Sequence, residues 1–175
     1  MSLDLFINTK IASLQTPFLT TLMTHITNSI SPTKIIFLSL IIIALLSYKK
    51  RLKETFLFIL SIGGGYLLEI AIKELVQRPR PTNALITETS YSFPSGHATI
   101  AIIFFTLLIY LFNKEIKNKT TRYIFIGVNI ALILLIGLSR IYLNVHWLTD
   151  VLGGYALGLI WISILIKTIK PKKTK

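Results

Sequence analysis

Residues 139–150, SRIYLNVHWLTD, place a serine, an arginine, a histidine and an aspartate next to long apolar stretches of the chain. Predominantly apolar runs lie at 123–138 and 147–166, before and after the polar core of this segment. A helix of about 20 apolar residues spans the hydrocarbon core of a bilayer. The segment is therefore predicted to be a polar turn at a membrane boundary, between two membrane-spanning helices.

Three further apolar runs precede this pair. The chain has 175 residues, of which 53% are hydrophobic and only 15% charged, a composition that excludes an ordinary water-soluble domain. We predict an all-α integral membrane helical bundle with five transmembrane helices, or six if the N-terminal segment also crosses. The five runs are 35–48, 55–68, 98–112, 123–138 and 147–166.

The N-terminal segment, residues 1–31, is only weakly hydrophobic. Its apolar residues recur at helical spacing opposite a polar face, which is typical of a helix that lies in the membrane interface. We predict one or two amphipathic interfacial helices here, with a sixth span as the alternative. The chain is then a single membrane domain, 1–175, with a transmembrane core at 32–168 and a basic tail at 169–175.

The net charge of +12 is concentrated on one side of the predicted bundle. If the spans alternate, 13 of the 19 basic residues fall in the turns after the first, third and fifth spans. The positive-inside rule makes that side cytoplasmic, where the basic turns are expected to contact anionic lipids. The same location argues against a nucleic-acid partner, which the charge alone would favour.

Two polar segments, 73–97 and 139–150, face the opposite, non-cytoplasmic side. They contribute Lys73, Arg80 and Arg140, three cations whose mutual repulsion at a membrane boundary requires an anion. Ser95 and Gly96 open the third span, where a hydroxyl, close backbone approach and free helix-start N–H groups favour anion binding. So many donors predict a phosphate site.

Two histidines remain for the chemistry. Asp150 follows His146 by four residues at the start of the last span, so its carboxylate can orient the imidazole and leave Nε2 free as a nucleophile. His97 is then available as the general acid. This division of roles predicts a phosphohistidine intermediate. Glu69, four residues before Lys73, either pairs with that lysine or finds a partner elsewhere in the bundle.

Three spaced motifs carry a resemblance to a known family. Lys73 is followed seven residues later by Arg80-Pro81, PSGH lies at 94–97, and SRxxxxxHxxxD lies at 139–150. Together they resemble the signature of the type 2 phosphatidic acid phosphatase superfamily, whose membrane members commonly have six spans. The resemblance implies the same residue roles, neither metal nor cofactor, and a supporting hydrogen bond from Ser139.

The expected function is removal of a terminal phosphate from a membrane lipid, in a bacterial inner membrane with the site facing the periplasm or exterior. Phosphatidylglycerophosphate, undecaprenyl diphosphate, phosphatidic acid and a lipid A phosphate are equal candidates as substrates, and the oligomeric state is left open. A lipid phosphotransferase shares the first half-reaction. A vanadate-dependent haloperoxidase shares the signature but not the apolar spans, and a non-catalytic lipid-binding protein would not require both histidines.

Overall fold

The structure, a computed structural model, describes residues 3–169, and every regular element within that range is a helix. The all-α prediction is confirmed. The seven helices are α1 (Leu3–Ala12), α2 (Pro17–Ser29), α3 (Pro32–Tyr48), α4 (Leu52–Val76), α5 (Gly96–Phe112), α6 (Lys119–Tyr142) and α7 (Leu148–Ile169).

Paired cap and proline residues set where α2 and α3 begin. Thr16 and Ser31 are the N-caps, and their side chains accept hydrogen bonds from backbone N–H groups three residues on. Pro17 and Pro32 follow at the first helical position, where a missing N–H has no cost. The two helices therefore form one apolar stretch, Pro17–Tyr48, that is interrupted only around residues 30–31.

Within residues 3–169, four helical stretches are long and apolar enough to cross a membrane: Pro17–Tyr48, Leu52–Val76, Lys119–Tyr142 and Leu148–Ile169. The shorter apolar helix α5 accounts for the remaining predicted run. α4 and α6 continue past their predicted runs and include charged residues near their C-terminal ends. The buried charges among them have partners: Glu69 pairs with Lys73 one turn on, and Arg140 pairs with Glu88.

Helix α5 forms the centre of the bundle and contacts α3, α4, α6 and α7. Its Ile100, Ile103 and Leu107 are completely buried, so this short helix is surrounded by protein. α7 approaches it closely at Gly158, where a Cβ atom would lie 2.4 Å from Ile102 Cγ2. At Gly154 a Cβ atom would lie 2.7 Å from a backbone oxygen at the start of α5. These glycines allow α5 and α7 to pack closely together.

The N-terminal segment forms two helices, and both contact the rest of the bundle. α1 packs against α6 and α7, and α2 packs against α6. The side of α2 that is turned inwards includes Leu19, Met23 and the fully buried Thr27, whereas Phe18 is 75% exposed. Placement of these helices in the interface stays a prediction. Most of the predicted basic tail lies outside the described residues.

Helix directions bring four chain segments to one end of the bundle. α4 and α6 end there, whereas α5 and α7 begin there, because consecutive core helices run in opposite directions. Lys73 and Arg140 therefore meet His97 and Asp150 at the same level. The basic turns at 49–53 and 114–119 lie at the opposite end.

Candidate active site

The two polar segments predicted to share a membrane face are in direct contact. Arg80 Nη1 donates to the Val145 carbonyl at 2.7 Å, and the Leu85 N–H donates to the Leu143 carbonyl at 2.9 Å. At the base of the helices, the Ser95 N–H donates to the Asp150 carbonyl at 3.0 Å. These hydrogen bonds connect the loop before α5 to the turn before α7.

His146 and Asp150 lie together in the buried part of this junction. His146 Nδ1 is 3.4 Å from Asp150 Oδ2, longer than a normal hydrogen bond, and that carboxylate oxygen also accepts from the Trp147 N–H at 2.9 Å. His146 Nε2 is 3.2 Å from Arg80 Nη1. A guanidinium only donates, so Nε2 is the unprotonated nitrogen and the Nδ1 proton faces the aspartate.

The predicted cations line one cavity of about 400 Å³. Two of them are already paired with carboxylates: Lys73 with Glu69, and Arg140 with Glu88. Arg80 instead donates to backbone oxygens. The predicted site residues that line this cavity are Glu69, Lys73, Arg80, Gly96, His97, Arg140 and His146.

Three predicted site residues lie beside the cavity without lining it. Asp150 is fully buried behind His146. Ser95 is also buried, and within the described part of the chain its hydroxyl has no hydrogen-bond partner. Ser139 donates its hydroxyl to the Ile136 carbonyl of its own helix at 2.6 Å, so its side chain is not directed at the cations.

Gly96 lets α5 begin close to α4. A Cβ atom at this position would lie 2.8 Å from Glu69 Oε1, so a larger residue would push against the carboxylate that pairs with Lys73. Of the two partners that the sequence left open for Glu69, the structure shows the lysine one turn away on the same helix.

Sequence reasoning did not identify a second ion network behind the aspartate. Arg78 Nη1 donates to Asp150 Oδ1 at 2.6 Å, and Arg78 Nη2 donates to Asp4 Oδ2 at 2.7 Å. Asp4 also accepts from the Thr149 N–H at 3.0 Å and from its hydroxyl at 2.6 Å. Helix α1 therefore contributes a carboxylate that holds Arg78 against Asp150. The only sequence signal was a second arginine beside Arg80.

Burial and neighbouring charges shift the ionisation of several of these groups. Burial lowers the pKa of His146 to about 4, against the opposing effect of Asp150, so the imidazole is neutral at physiological pH. Burial opposes ionisation of Glu88, but the Arg140 guanidinium beside it holds the pKa of that carboxyl below its usual range. Asp4 is likewise shifted: burial raises its pKa, but hydrogen bonds from Thr149 and Arg78 more than compensate.

Metal ligands do not cluster here. Within residues 3–169, no group of three or more histidine, cysteine, aspartate or glutamate side chains is arranged to hold a metal ion. The donors that face the cavity are cationic, and such donors bind anions.

Comparison with known proteins gives one consistent family. Residues 54–174 match the model of the PAP2 superfamily. Phosphatidylglycerophosphatase B of Bacillus subtilis (strain 168) is 35% identical over 176 residues, which cover 98% of this chain and 85% of the relative.

Two solved structures share the fold. One is the crystal structure of the first transmembrane PAP2 type phosphatidylglycerolphosphate phosphatase from Bacillus subtilis, with a TM-score of 0.86 and 31% identity over 97% of this chain and 86% of that one. The other is Aquifex aeolicus LpxE, with a TM-score of 0.74 and 27% identity over 95% of this chain and 96% of that one.

Proposed function

The chain belongs to the PAP2 superfamily, and from this premise we propose that it is a membrane lipid phosphatase that uses His146 as its nucleophile. The main observation in support of the proposal is the position of the His146 imidazole. Its Nδ1 faces Asp150, and its Nε2 lies 3.2 Å from Arg80 at the wall of a cavity with three cations. A phosphoryl group bound by those cations lies within reach of Nε2.

In the first half-reaction, the Nε2 lone pair attacks phosphorus and the bond from phosphorus to the lipid oxygen breaks. Burial and the neighbouring cations, Arg140 first among them, lower the pKa of His97 to about 2 in the free enzyme, so His97 takes up its proton from a singly protonated phosphate when that substrate binds. His97 then donates the proton to the lipid oxygen, so the lipid leaves as an alcohol, or as a monophosphate if the substrate is a diphosphate. Lys73, Arg80 and Arg140 stabilise the charge on the equatorial oxygens of the transition state. Asp150 stabilises the imidazolium that forms as Nε2 becomes bonded to phosphorus.

In the second half-reaction, His97 accepts a proton from water as the water oxygen attacks phosphorus. The bond from phosphorus to Nε2 breaks, inorganic phosphate forms, and His146 returns to its neutral state. The 3.4 Å separation of Nδ1 and Oδ2 is expected to shorten when the ring becomes positively charged.

The substrate proposal rests on the relatives and on the position of the cavity. The cavity and the basic turns lie at opposite ends of the bundle. The positive-inside rule places the basic turns in the cytoplasm, so we propose that the cavity faces the non-cytoplasmic side of a bacterial inner membrane. Phosphatidylglycerophosphatase B has 98% of this chain aligned with it, so we propose phosphatidylglycerophosphate as the first substrate to test.

The test is phosphate release by the purified protein in detergent, with EDTA present, against a panel of the four candidate lipids. We expect release from at least one lipid, and His146→Ala should reduce its rate by at least about a thousandfold. A brief reaction with ³²P-labelled lipid should leave acid-labile, alkali-stable label on the wild-type protein and none on the variant.

The control is His25→Ala, which removes an exposed histidine on α2, away from the cavity. It should keep wild-type activity. Full activity of the His146→Ala protein would remove the mechanism, and labelled phosphate that passes to a second lipid instead of to water would identify a phosphotransferase.

A further inference from the structure

The cavity already contains an anion of the protein's own. The Glu88 carboxylate contacts Arg140 Nη2, and this arginine is almost completely buried, with a side-chain exposure of 1%. Both residues line the cavity beside Arg80 and His146. The Glu88 carboxylate therefore occupies the Arg140 guanidinium, a hydrogen-bond donor that the phosphate of a substrate needs.

The remaining N–H groups of Arg140 are not all hydrogen-bonded, which indicates that a bound ligand supplies the missing acceptor. Nη1 donates to Thr27 at 2.9 Å, whereas Nε is buried and has no hydrogen-bond partner among the described residues. A buried guanidinium N–H without a partner is costly. One carboxylate oxygen and one hydroxyl leave the arginine unsatisfied, and a phosphate has enough oxygens to satisfy it.

Glu88 differs from Glu69, the other carboxylate in the cavity, in its freedom to move. Glu69 is on the same helix as its partner Lys73, is buried, and lies against the start of α5. Glu88 is on the loop between α4 and α5, and its side chain is 28% exposed. Glu88 also borders a second depression of about 310 Å³, which is lined by Arg80, Pro81 and loop residues 84–88, and this depression offers space for its side chain to move.

We propose that Glu88 is a specificity-determining residue that excludes phosphodiester lipids from the phosphate site. This inference rests on the proposed function. A phosphodiester carries one negative charge, so its exchange for the Glu88 carboxylate gains little electrostatic energy. A phosphate monoester carries up to two charges and three terminal oxygens, so it displaces Glu88 with a net gain. Membrane phosphodiesters are abundant, and without Glu88 they would occupy the cations.

The position of Glu88 also affects the product. Inorganic phosphate leaves Arg140 as Glu88 returns to it, so the carboxylate limits product inhibition. Because the pKa of Glu88 is held below its usual range, with burial opposing and Arg140 favouring the charged form, the competing anion is present at physiological pH.

The test is Glu88→Gln, assayed with a lipid phosphate monoester in maltoside detergent micelles, which contain no phosphodiester, and again in micelles that also contain phosphatidylglycerol. In detergent alone we expect KM and the inhibition constant of inorganic phosphate to fall by about tenfold. Phosphatidylglycerol should inhibit the variant strongly and the wild type weakly. Glu88→Asp, which keeps the charge but shortens the reach to Arg140, should change both constants in the same direction by a smaller factor.

Glu74→Gln is the matched control. Glu74 also borders the cavity but forms no ion pair within the described residues, so the same loss of charge there should change the constants by less than threefold. Unchanged constants in both Glu88 variants, or a higher KM and weaker phosphate inhibition, would overturn the inference. Wild-type protein that releases phosphate from no lipid would refute the proposed function instead.

Discussion

At one end of the bundle charged side chains are buried between helix termini, and at the other end most of them stand on exposed turns. Asp150 and Arg140 are at most 1% exposed, yet each has at least one charged partner. At the opposite end, Lys50, Lys114 and Lys117 are exposed to the surroundings.

The comparison shows two different uses of charge in one membrane protein. Burial of ions has a large desolvation cost, and a buried pair is often less stable than an apolar replacement. Among the described residues, most such pairs lie at the cavity end, and this concentration indicates chemistry, not stability; at the other end Glu54 is buried, but its partner Arg51 is partly exposed. The exposed lysines at the other end fit the predicted role of topology signals, which requires only that they lie on the cytoplasmic side.

The largest effect on the cavity end is expected from removal of Arg78, which donates a hydrogen bond to Asp150 on the side away from His146. Without it Asp150 Oδ1 loses a 2.6 Å hydrogen bond, and the carboxylate is free to turn away from His146. For Arg78→Met we expect kcat to fall by about a hundredfold, the cost of a misplacement of roughly 1 Å, with KM changed by less than threefold. Initial rates over a range of lipid concentration separate the two constants.

Conservative variants test whether Arg78 acts through this contact. Arg78→Lys keeps the charge with a single donor centre and should lose less activity than Arg78→Met. Asp4→Asn should lower kcat in the wild-type background but have little further effect in Arg78→Met, since Asp4 acts by holding the arginine. Wild-type kcat for Arg78→Met would show that the ion network has no part in catalysis.

The burial of His146 beside charged residues should also affect the pH dependence of kcat/KM. In the proposed mechanism His146 attacks in its neutral form, and burial, together with Arg140 and Arg80 and against Asp150, lowers its pKa to about 4. The acid limb of kcat/KM, which reports the free enzyme, should therefore lie near pH 4, with less than a threefold loss between pH 7 and pH 5.

The measurement is kcat/KM across pH 3.5 to 9, divided by the fraction of substrate in its reactive ionisation state. That fraction comes from a ³¹P titration of the lipid alone, because a phosphate monoester itself titrates near pH 6. An acid limb near pH 6.5 in the corrected profile would mean that the nucleophile is solvated like an ordinary surface histidine.

The sequence was sufficient to locate the cations because charge is conspicuous in an apolar chain. Lys73, Arg80 and Arg140 interrupt or end apolar runs, and the alternation of spans places them on one face without any structural information. The five predicted apolar runs correspond to helices α3 to α7, although four stretches of the described residues, not five, are long enough to span a membrane. Spacing alone also predicted that His146 and Asp150 lie on one side of a turn.

The residues that the sequence did not reveal depend on contacts between distant parts of the chain. Asp4 belongs to a weakly hydrophobic segment and reaches Thr149 across 145 positions of sequence. Glu88 lies in a loop with no periodicity. Ser139 illustrates the reverse case, since its place in a motif did not show that its hydroxyl bonds to its own helix. A motif specifies residue types, whereas the direction of each side chain depends on packing.

The smallest expected effect is at the basic end, where Glu115 pairs with Arg51 at 2.5 Å. Glu115→Gln makes the same chemical change as Glu88→Gln, a carboxylate to an amide beside an arginine, but the Glu115 side chain is 39% exposed. Water solvates both partners when such a pair is lost, and Arg51 keeps Glu54 at 3.3 Å. We expect a stability change of at most about 1 kcal/mol by thermal unfolding in detergent, with KM and phosphate inhibition within twofold of wild type. If Glu115→Gln altered phosphate affinity as much as Glu88→Gln, the effect would come from total charge, and the contrast between the two ends of the bundle would have no bearing on the site.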